Sequence, residues 1–536
     1  MTIRTLMLGL LPAGILISAA KKTNEPKFLT SDRCIACHNE LQTAKGEDVS
    51  IGFAWRASIM ANSSRDPYWQ ASVRRETIDH PQAVSHIEDE CSICHMPVTR
   101  YEAKLEGKEV HVFAHLPFDA DKKHGEEAAD GVDCSICHQI SKEKLGTRDS
   151  FNGGFVIESP DATHKRSEYG PFQIDRGQAR IMHSSTAEFQ PTENQDHIRK
   201  SELCATCHTL ITTALDSQGK TVGSLPEQMP YKEWLNSDYK TKQTCQDCHM
   251  PVIEEPAPIT RVFGVARDGV KRHVFVAGNF FMLRMLNRYR DDLDVAALPQ
   301  ELNSAADNTV AFLQAKSARV SIENVQLAGS HLQAAVVVEN LTGHKLPTAY
   351  PSRRCWLHFT VRDRSDRVIF ESGALRPDGS IAGNDNDADA RRYEPHYTEI
   401  SSSEQVQIYE DILGGPKGEV TTGLLTAVDY LKDNRLLPHG FDKHTTDRDI
   451  AVVGAALDDP DFTDAGDHVR YSVDLGSAQG PFRVEAELWY QPIGYRWANN
   501  LKQYGQAAEP RRFNGFYDSM SQGTAQLLAR SIIIAK

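Results

Sequence analysis

The stretch Cys34-Ile-Ala-Cys37-His38 is the first of five copies of one short pattern, in which two residues separate a pair of cysteines and a histidine follows. Ten of the eleven cysteines of the chain belong to these copies. Five identical units in the first half of the chain indicate that this pattern decides the architecture there. The other four copies are Cys91-Ser-Ile-Cys94-His95, Cys134-Ser-Ile-Cys137-His138, Cys204-Ala-Thr-Cys207-His208 and Cys245-Gln-Asp-Cys248-His249.

The spacing of this pattern suits covalent attachment of haem. Two residues between the thiols let both sulfurs reach the vinyl groups on one side of a porphyrin, and the next residue can present its imidazole to the iron. Zinc ribbons do not need a histidine after each cysteine pair, and a thioredoxin-like redox pair would occur once. The sequence therefore predicts five covalently bound haem c groups, whose proximal ligands are His38, His95, His138, His208 and His249.

The N-terminal 20 residues predict an export signal. A short basic region ends at Arg4, an apolar run spans residues 6–17, and Ser18-Ala19-Ala20 provides small residues for cleavage. The run is shorter than the roughly 20 residues that cross a bilayer, which disfavours the alternative of a membrane anchor. We therefore expect a mature protein in the periplasm or outside the cell.

Composition excludes several classes of protein. The 536 residues include 59 Lys and Arg against 73 Asp and Glu, so the formal charge is -14 and no basic excess attracts nucleic acid. The mean hydropathy of -0.46 excludes a polytopic membrane protein. Haem propionates would add more negative charge, which favours a redox partner with a basic surface.

We predict an α+β multidomain chain with three parts: the signal at 1–20, a haem domain at 21–316 and a haem-free domain at 317–536. In the haem domain, apolar porphyrins can replace a side-chain core, so we expect mainly short helices and irregular chain. Longer helices are predicted at 54–75, 279–293 and 298–315.

The residues after 317 favour a β-sandwich-like domain, because short β-rich runs alternate with Gly, Asp and Pro breaks. Cys355 lies in one of these runs and is predicted to be a buried apolar residue. Strands are predicted at 319–327, 332–339, 356–362, 367–371, 450–455, 469–475, 482–490 and 527–534.

The sixth ligand of each iron needs a second histidine or a methionine. The segments 91–98 and 245–252 share the ending Cys-His-Met-Pro-Val, and each precedes a His-Val-Phe triplet, which suggests two related haem-binding units. The candidate distal ligands are His111, His124, His183, His197, His273, His344 and Met60.

One acidic loop suggests a calcium ion as an additional cofactor. Residues 384–389 read Asn-Asp-Asn-Asp-Ala-Asp. The loop departs from an EF-hand, because Ala390 replaces the glycine and His396 replaces the bidentate glutamate. A solvated acidic loop is the alternative.

The haem region resembles the multihaem c-type cytochromes of the hydroxylamine-oxidoreductase-related class. Besides the five motifs, the resemblance rests on the segments 55–68, 201–208 and 227–234, while 343–354 is similar to part of the C-terminal β domain found in some of these cytochromes. The resemblance implies an exported electron carrier with closely stacked haems. All five motifs end in histidine, unlike the lysine-ended motif of nitrite-reducing relatives.

Two functional hypotheses follow. In the first, the chain is an electron-transfer protein in which five haems form a path of redox centres. In the second, it is an oxidoreductase with one open iron that acts on a small nitrogen or sulfur compound. The uniform motifs and the surplus of histidines favour the first. The β domain is, in either case, a candidate docking module.

Overall fold

The computed structural model describes residues 28–158, 166–186 and 189–536. The predicted export signal lies outside these residues. Within them, no helix combines the length and the apolar character that crossing a bilayer requires.

Most helices of the first half are short, as expected for a region that is organised around haem motifs. The longest helix among the described residues closes this half, at Pro299–Lys316, close to its predicted bounds. The α-helices are Ser31–Ile35, Ile51–Arg56, Pro67–Asp79, Val84–His95, Pro97–Leu105, Gly125–Ala129, Cys134–Gln139, Arg176–Ser185, Ser201–Ala205, Pro230–Leu235, Cys245–His249, Phe280–Arg288, Pro299–Lys316, Asp385–Ala388, Tyr495–Asn500 and Ala508–Met520.

Strands concentrate after residue 317, and four short ones lie before it in the part of the chain that the structure describes. The strands are β1 (Arg166–Tyr169), β2 (Phe189–Thr192), β3 (Leu210–Leu215), β4 (Thr221–Gln228), β5 (Ala318–Ala328), β6 (His331–Asn340), β7 (Arg354–Arg362), β8 (Val368–Ser372), β9 (Glu399–Ile400), β10 (Ile408–Gly414), β11 (Val420–Thr421), β12 (Asp429–Asp433), β13 (Asp467–Asp474), β14 (Phe482–Gln491) and β15 (Gln526–Ala535).

Two sheets form the second half. The larger sheet has the order β11-β10-β7-β14-β15, with β12 paired to β10 and β8 paired to β7, and the smaller sheet has the order β5-β6-β13-β9. Burial alternates along β6 and β13, which places one face of the smaller sheet in the core. The rings of Phe359 on β7 and Tyr471 on β13 stack at 3.8 Å, so the two sheets pack face to face as a sandwich.

Two sequence predictions differ from the structure. The helix predicted at 54–75 is divided, because Asp66 caps a new helix that starts with Pro67, and the Asp66 side chain accepts bonds from the Tyr68 and Trp69 amides. The strand predicted at 450–455 is replaced by a 3₁₀ turn at Arg448–Ile450 and one bridge from Val453 to Asp433.

One large core joins the sandwich to helices of the first half, including Phe280–Arg288. The C-terminal helix Ala508–Met520 packs against Pro67–Asp79, where Arg74 pairs with Glu509 at 2.9 Å. The rest of the first half has only small clusters of apolar side chains. The division into domains at residue 316 stays a prediction.

The eleventh cysteine behaves as predicted. Cys355 lies on β7, is fully buried and contributes to the large core. Burial raises the pKa of its thiol, which keeps it protonated and unreactive.

Candidate functional site

The five motifs meet at one continuous cavity of about 1700 Å³ in the first half of the chain. Its lining includes all ten motif cysteines and all five motif histidines. A pocket for one small ligand usually measures roughly 300–1,000 Å³, so this cavity is large enough for several groups. A site for one small ligand would not need ten cysteines and five histidines in its lining.

Each motif forms one turn of helix, which aims its three functional side chains in one direction. In the first motif the His38 amide donates to the Cys34 carbonyl at 3.0 Å, and in the fourth the His208 amide donates to the Cys204 carbonyl at 2.9 Å. The first cysteine, the second cysteine and the histidine are therefore at positions i, i+3 and i+4, which share one helix face. This is the arrangement that a planar group attached at two points and ligated at a third requires.

Four of the five motif imidazoles are oriented by a backbone carbonyl. The Nδ1 atoms of His38, His95, His138 and His249 lie 2.5–3.0 Å from the carbonyl oxygens of Ile259, Ser63, Tyr169 and Val276, respectively. Donation from Nδ1 fixes the tautomer and leaves Nε2 as the free ligand atom.

The motif imidazoles are also held in the neutral form that binds metal. Burial lowers the pKa of His95 and of His208 to about 4. Burial lowers the pKa of His38, His138 and His249 as well. At neutral pH a nitrogen lone pair is therefore available on each ring, which ligation requires.

His273 faces the third motif across the cavity. Its ring lies 6.4 Å from that of His138, centre to centre, with an angle of 18° between the planes. Its Nδ1 lies 3.2 Å from the Lys271 carbonyl, and burial lowers its pKa to about 4. His273 therefore resembles the motif histidines in its burial, its lowered pKa and its backbone carbonyl near Nδ1, although it belongs to no motif.

His344 faces the fifth motif in the same way. Its ring lies 6.4 Å from that of His249 with an interplanar angle of 7°. It is carried by the loop between β6 and β7, and the buried side chain of the next residue, Lys345, fixes this loop by donating to Asp433 at 2.6 Å. The β-rich half of the chain thus contributes directly to the cavity.

The two imidazole pairs fit one metal ion each. Imidazole nitrogen binds a transition metal at about 2.0–2.1 Å. A five-membered ring with bonds of about 1.3–1.4 Å has its centre about 1.1 Å from each atom, so two rings on opposite sides of one metal have centres about 6.3 Å apart. The two observed separations of 6.4 Å match this distance.

Four of the predicted distal histidines do not line the cavity. His111 is exposed, although the repeat made it equivalent to His273. His124 lies near the Glu102 and Glu106 carboxylates. His183 is half-buried, and its Nε2 has no hydrogen-bond partner among the described residues.

His197, the fourth of these histidines, uses Nε2 to donate to the Ile140 carbonyl at 3.0 Å. The structure does not test whether these four residues bind iron, so their assignment as distal ligands stays a prediction. Repeats and neighbouring motifs were their only sequence signal, and neither fixes the direction of a side chain. Met60 does line the cavity, and its role as a distal ligand stays a prediction.

Three motif imidazoles have no second imidazole opposite them among the described residues. His38 and His208 have no ring contact, and His95 stacks instead on the indole of Trp69, at 4.4 Å with an angle of 6°. Second imidazoles therefore lie opposite two of the five motif histidines, His138 and His249.

Thiol contacts show which motifs are neighbours. Cys34 and Cys134 lie close enough to shift each other's pKa, and so do Cys204 and Cys245. Cys94 also raises the pKa of Cys207, so the fourth motif lies near both the second and the fifth.

The acidic loop at 384–389 is not arranged as a calcium site. Its carboxylates are neutralised by guanidinium groups instead: Asp387 pairs with Arg354, Asp385 with Arg392 and Asp389 with Arg391. Carboxylates engaged in this way do not converge on one point, as ligation of Ca²⁺ requires.

A buried acidic cluster that the sequence did not reveal lies in the sandwich. His396, Asp459 and Asp467 bring ligand atoms within 4.8 Å of one another. The Gln407 and Asn434 side-chain amides donate to Nδ1 of His396, so Nε2 carries the proton and donates to Asp459 at 3.0 Å. A proton thus occupies the position that a metal ion would take, and the cluster is a hydrogen-bond network.

Comparison with known proteins identifies a similar fold. No protein-family model matches the sequence, and no curated protein matches it. A solved structure, that of a penta-heme cytochrome c552 from Thermochromatium tepidum, is similar with a TM-score of 0.52 and 17% sequence identity. The match covers 94% of this chain and 99% of that chain. At this identity, the likeness shows a shared fold that extends over both halves of the chain.

Proposed function

We propose that this chain is an exported c-type cytochrome that binds five haem c groups and passes electrons between them. The observation that carries the proposal is the convergence of all fifteen motif side chains on one cavity. The fold is similar to that of a penta-heme cytochrome c552. An organic group with two attachment points and one metal explains both the cysteine pairs and the oriented imidazoles.

The chain's own residues would hold, orient and enclose these groups. The ten thiols form the covalent links, and the carbonyls behind Nδ1 keep four imidazoles directed at the metal. Haem supplies one redox-active iron at each motif when it is bound. Burial excludes water, and the ligand set tunes each potential.

The thiol contacts support a continuous path for electrons. The first motif adjoins the third through Cys34 and Cys134, and the fourth adjoins the second and fifth. Cys137 of the third motif is close enough to Cys204 to affect the pKa of that thiol. Groups attached at these positions would have neighbouring edges, which is what transfer within one protein requires.

The two paired imidazoles favour low potentials at two sites. A histidine on each side of an iron gives a lower potential than a methionine in the sixth position. We therefore assign His138 with His273, and His249 with His344, to low-potential centres. The net charge of -14 favours a redox partner that presents basic residues.

Residues after 317 form part of the electron-transfer unit in this proposal, because His344 belongs to them. A docking role for the sandwich, the export signal at 1–20 and the relation to the hydroxylamine-oxidoreductase class remain predictions. The N-terminal residue of the mature protein, determined after expression in an export-competent host, tests the signal.

Removal of one attachment site tests haem binding. The C134S/C137S variant should contain one haem fewer per polypeptide than the wild type, measured by haem absorbance against protein concentration. The control is C355A, which removes the buried cysteine outside the motifs and should retain the full haem content. An unchanged haem content in C134S/C137S would contradict the proposal.

One observation favours a second candidate function. Three motif imidazoles have no second imidazole in ring contact among the described residues, which would leave room for an external ligand at one of these sites. An oxidoreductase with one iron that accepts an external ligand is the alternative. Catalytic turnover of a small nitrogen or sulfur compound by the purified protein would favour this function.

A further inference from the structure

The loop that carries His344 packs against the stretch of chain that leads into the fifth motif. This stretch contains the helix Pro230–Leu235 and the 3₁₀ turn Asp238–Thr241, and it directly precedes the motif. Trp234 and Tyr239, which belong to it, also line the cavity. Any contact between this stretch and the loop therefore ties the fifth motif to the histidine that lies opposite it.

Glu233, on that helix, accepts two hydrogen bonds from the loop with one carboxylate oxygen. Its Oε2 accepts from the Lys345 amide at 3.1 Å and from the Thr348 hydroxyl. Its Oε1 lies 3.0 Å from a guanidinium nitrogen of Arg435, which compensates the negative charge. The Glu233 side chain is fully buried, so water cannot replace a lost contact at this position.

The same stretch also holds the loop on the other side of His344. The Tyr239 hydroxyl donates to the Leu341 carbonyl at 2.9 Å. A Cβ at Gly343 would lie 3.1 Å from the Tyr239 Cβ and 3.4 Å from the Trp234 Cδ1, so the loop backbone passes close to both side chains. The loop is therefore fixed before and after its histidine by the stretch that leads into the fifth motif.

The sandwich holds the loop from its own side. The Lys345 ammonium donates to Asp433 at 2.6 Å and to the Ala451 carbonyl at 3.1 Å. The Asn340 side-chain amide donates to the His344 carbonyl at 2.8 Å. The residue that follows the histidine is therefore bonded to the sandwich through its ammonium group and to the first half of the chain through its amide.

These contacts account for the alignment of the two imidazoles at this site. The His249 and His344 rings have centres 6.4 Å apart and planes 7° apart. A loop that is fixed in this geometry does not have to be ordered when metal binds, which lowers the cost of ligation. Loss of a contact that orders the loop would make release of the histidine from the metal easier.

We propose that Glu233 is a positioning residue that keeps His344 on the iron of the fifth haem. The inference rests on the proposed function, because it needs haem at this motif and His344 as the second ligand. It goes beyond that proposal by assigning control of the ligand to a carboxylate outside every motif. Glu233 is not among the described residues that line the cavity, so it acts through the loop.

The rate of carbon monoxide binding to the reduced, haem-loaded, full-length protein tests this role, because the gas must displace His344 at this site. H344A identifies the kinetic phase that belongs to the site, since no histidine has to leave there. E233A should accelerate this phase by about 10- to 100-fold, as expected for loss of two buried hydrogen bonds to the loop. T348V removes one of these bonds and should accelerate it by roughly 3- to 10-fold.

T348S keeps the hydroxyl group, and its rate should stay within about twofold of the wild type. D387N is the control for a general loss of stability, because it breaks a buried ion pair at the start of β7, outside residues 341–348. Its rate should also stay within about twofold. Equal acceleration in D387N and E233A, or wild-type rates in both E233A and T348V, would overturn the inference.

If E233A yields no haem-loaded protein, the contrast between T348V and T348S decides, and equal rates in these two variants would overturn the inference. Haem content is measured on the same samples. An H344A variant that behaves like the wild type would refute His344 as a ligand, and this inference with it, while haem binding stands. A wild-type preparation without haem would refute the proposed function.

Discussion

At the scale of the residue, the central feature is a set of buried imidazoles that are neutral and can therefore bind metal. His273 and His344 lie opposite motif histidines at 6.4 Å, and each is neutral because burial lowers its pKa. The motif histidines could be read from the sequence, which also placed these two among its candidate distal ligands but could not separate them from the other candidates. Their selection depends on which loops the fold brings to the cavity.

Exchange of these two ligands should change the potentials of their sites. In H273M and H344M a thioether replaces an imidazole, which raises the potential of one centre by on the order of 0.1 V, within the roughly 0.8 V span set by axial ligands. A spectroelectrochemical titration measures this shift. H111M alters an exposed histidine outside the cavity and serves as the control. Identical titration curves for all three variants would contradict the assignment.

The buried network in the sandwich gives a prediction for pH. Burial raises the pKa of Asp467 to about 7 from its ordinary value of 3.8. The folded state therefore binds more protons at Asp467 than the unfolded state between these values, and its contribution to stability falls as the pH rises. Because D467N removes the ionisable carboxyl group, this loss of stability with rising pH should not occur in the variant.

We expect D467N to gain stability relative to the wild type between pH 4 and pH 7, by on the order of a few kcal/mol. Urea unfolding, followed by far-UV circular dichroism, measures the difference at each pH. D366N alters an exposed aspartate, and its difference from the wild type should stay flat across the range. A flat difference for D467N as well would contradict the prediction.

At the scale of the element, close backbone contacts position the motifs. Gly131 precedes the helix of the third motif and has a φ of +63°, and a Cβ there would lie 2.6 Å from the Ala61 carbonyl oxygen. Gly46 also has a left-handed φ, of +84°, but has open space around it. A side chain at Gly46 would therefore cause backbone strain alone, whereas one at Gly131 would cause backbone strain and a steric clash.

Alanine at these two glycines should have unequal effects. Both variants acquire the left-handed strain of roughly 1–2 kcal/mol. G131A should lose about 1–3 kcal/mol more, because the neighbouring backbone must move. Urea unfolding of the haem-loaded proteins measures both. Equal losses would show that the chain near Gly131 adjusts without cost.

A buried ion pair joins β7 to the short helix Asp385–Ala388. Arg354 donates to both oxygens of Asp387, at 2.8 and 2.9 Å, and both side chains are almost fully buried. D387N should cost about 3–5 kcal/mol in the free energy of unfolding, because it leaves a buried guanidinium without its counter-charge.

The matched control is D389N, which breaks the pair with Arg391 in the same loop. Arg391 is 87% exposed, so solvent screens this pair and unfolding should change little. Thermal and urea unfolding of both variants provide the comparison. A loss in D389N as large as that in D387N would contradict the distinction between the two pairs.

Prediction from sequence succeeded where a local pattern carries the information. Alternation of apolar residues gave β6, β13 and β14 within a residue or two, and Pro299 marked the start of the longest helix. It failed where tertiary contacts decide: the helix predicted at 54–75 divides at Asp66, and residues 450–455 form no strand.

At the scale of the whole molecule, the two halves of the chain act together. The C-terminal helix packs on Pro67–Asp79, the sandwich and Phe280–Arg288 share one core, and the loop after β6 delivers His344 to the cavity. The few small apolar clusters around the motifs leave space that side chains do not fill. Haem would therefore act as both the redox centre and much of the core of the first half.

The intact mass of the full-length, exported protein under denaturing conditions tests the central claim most directly. The account predicts a mass equal to that of the mature polypeptide plus five haem groups, retained after non-covalent ligands have been removed. A mass equal to that of the polypeptide alone, or with any number of haem groups other than five, would contradict it.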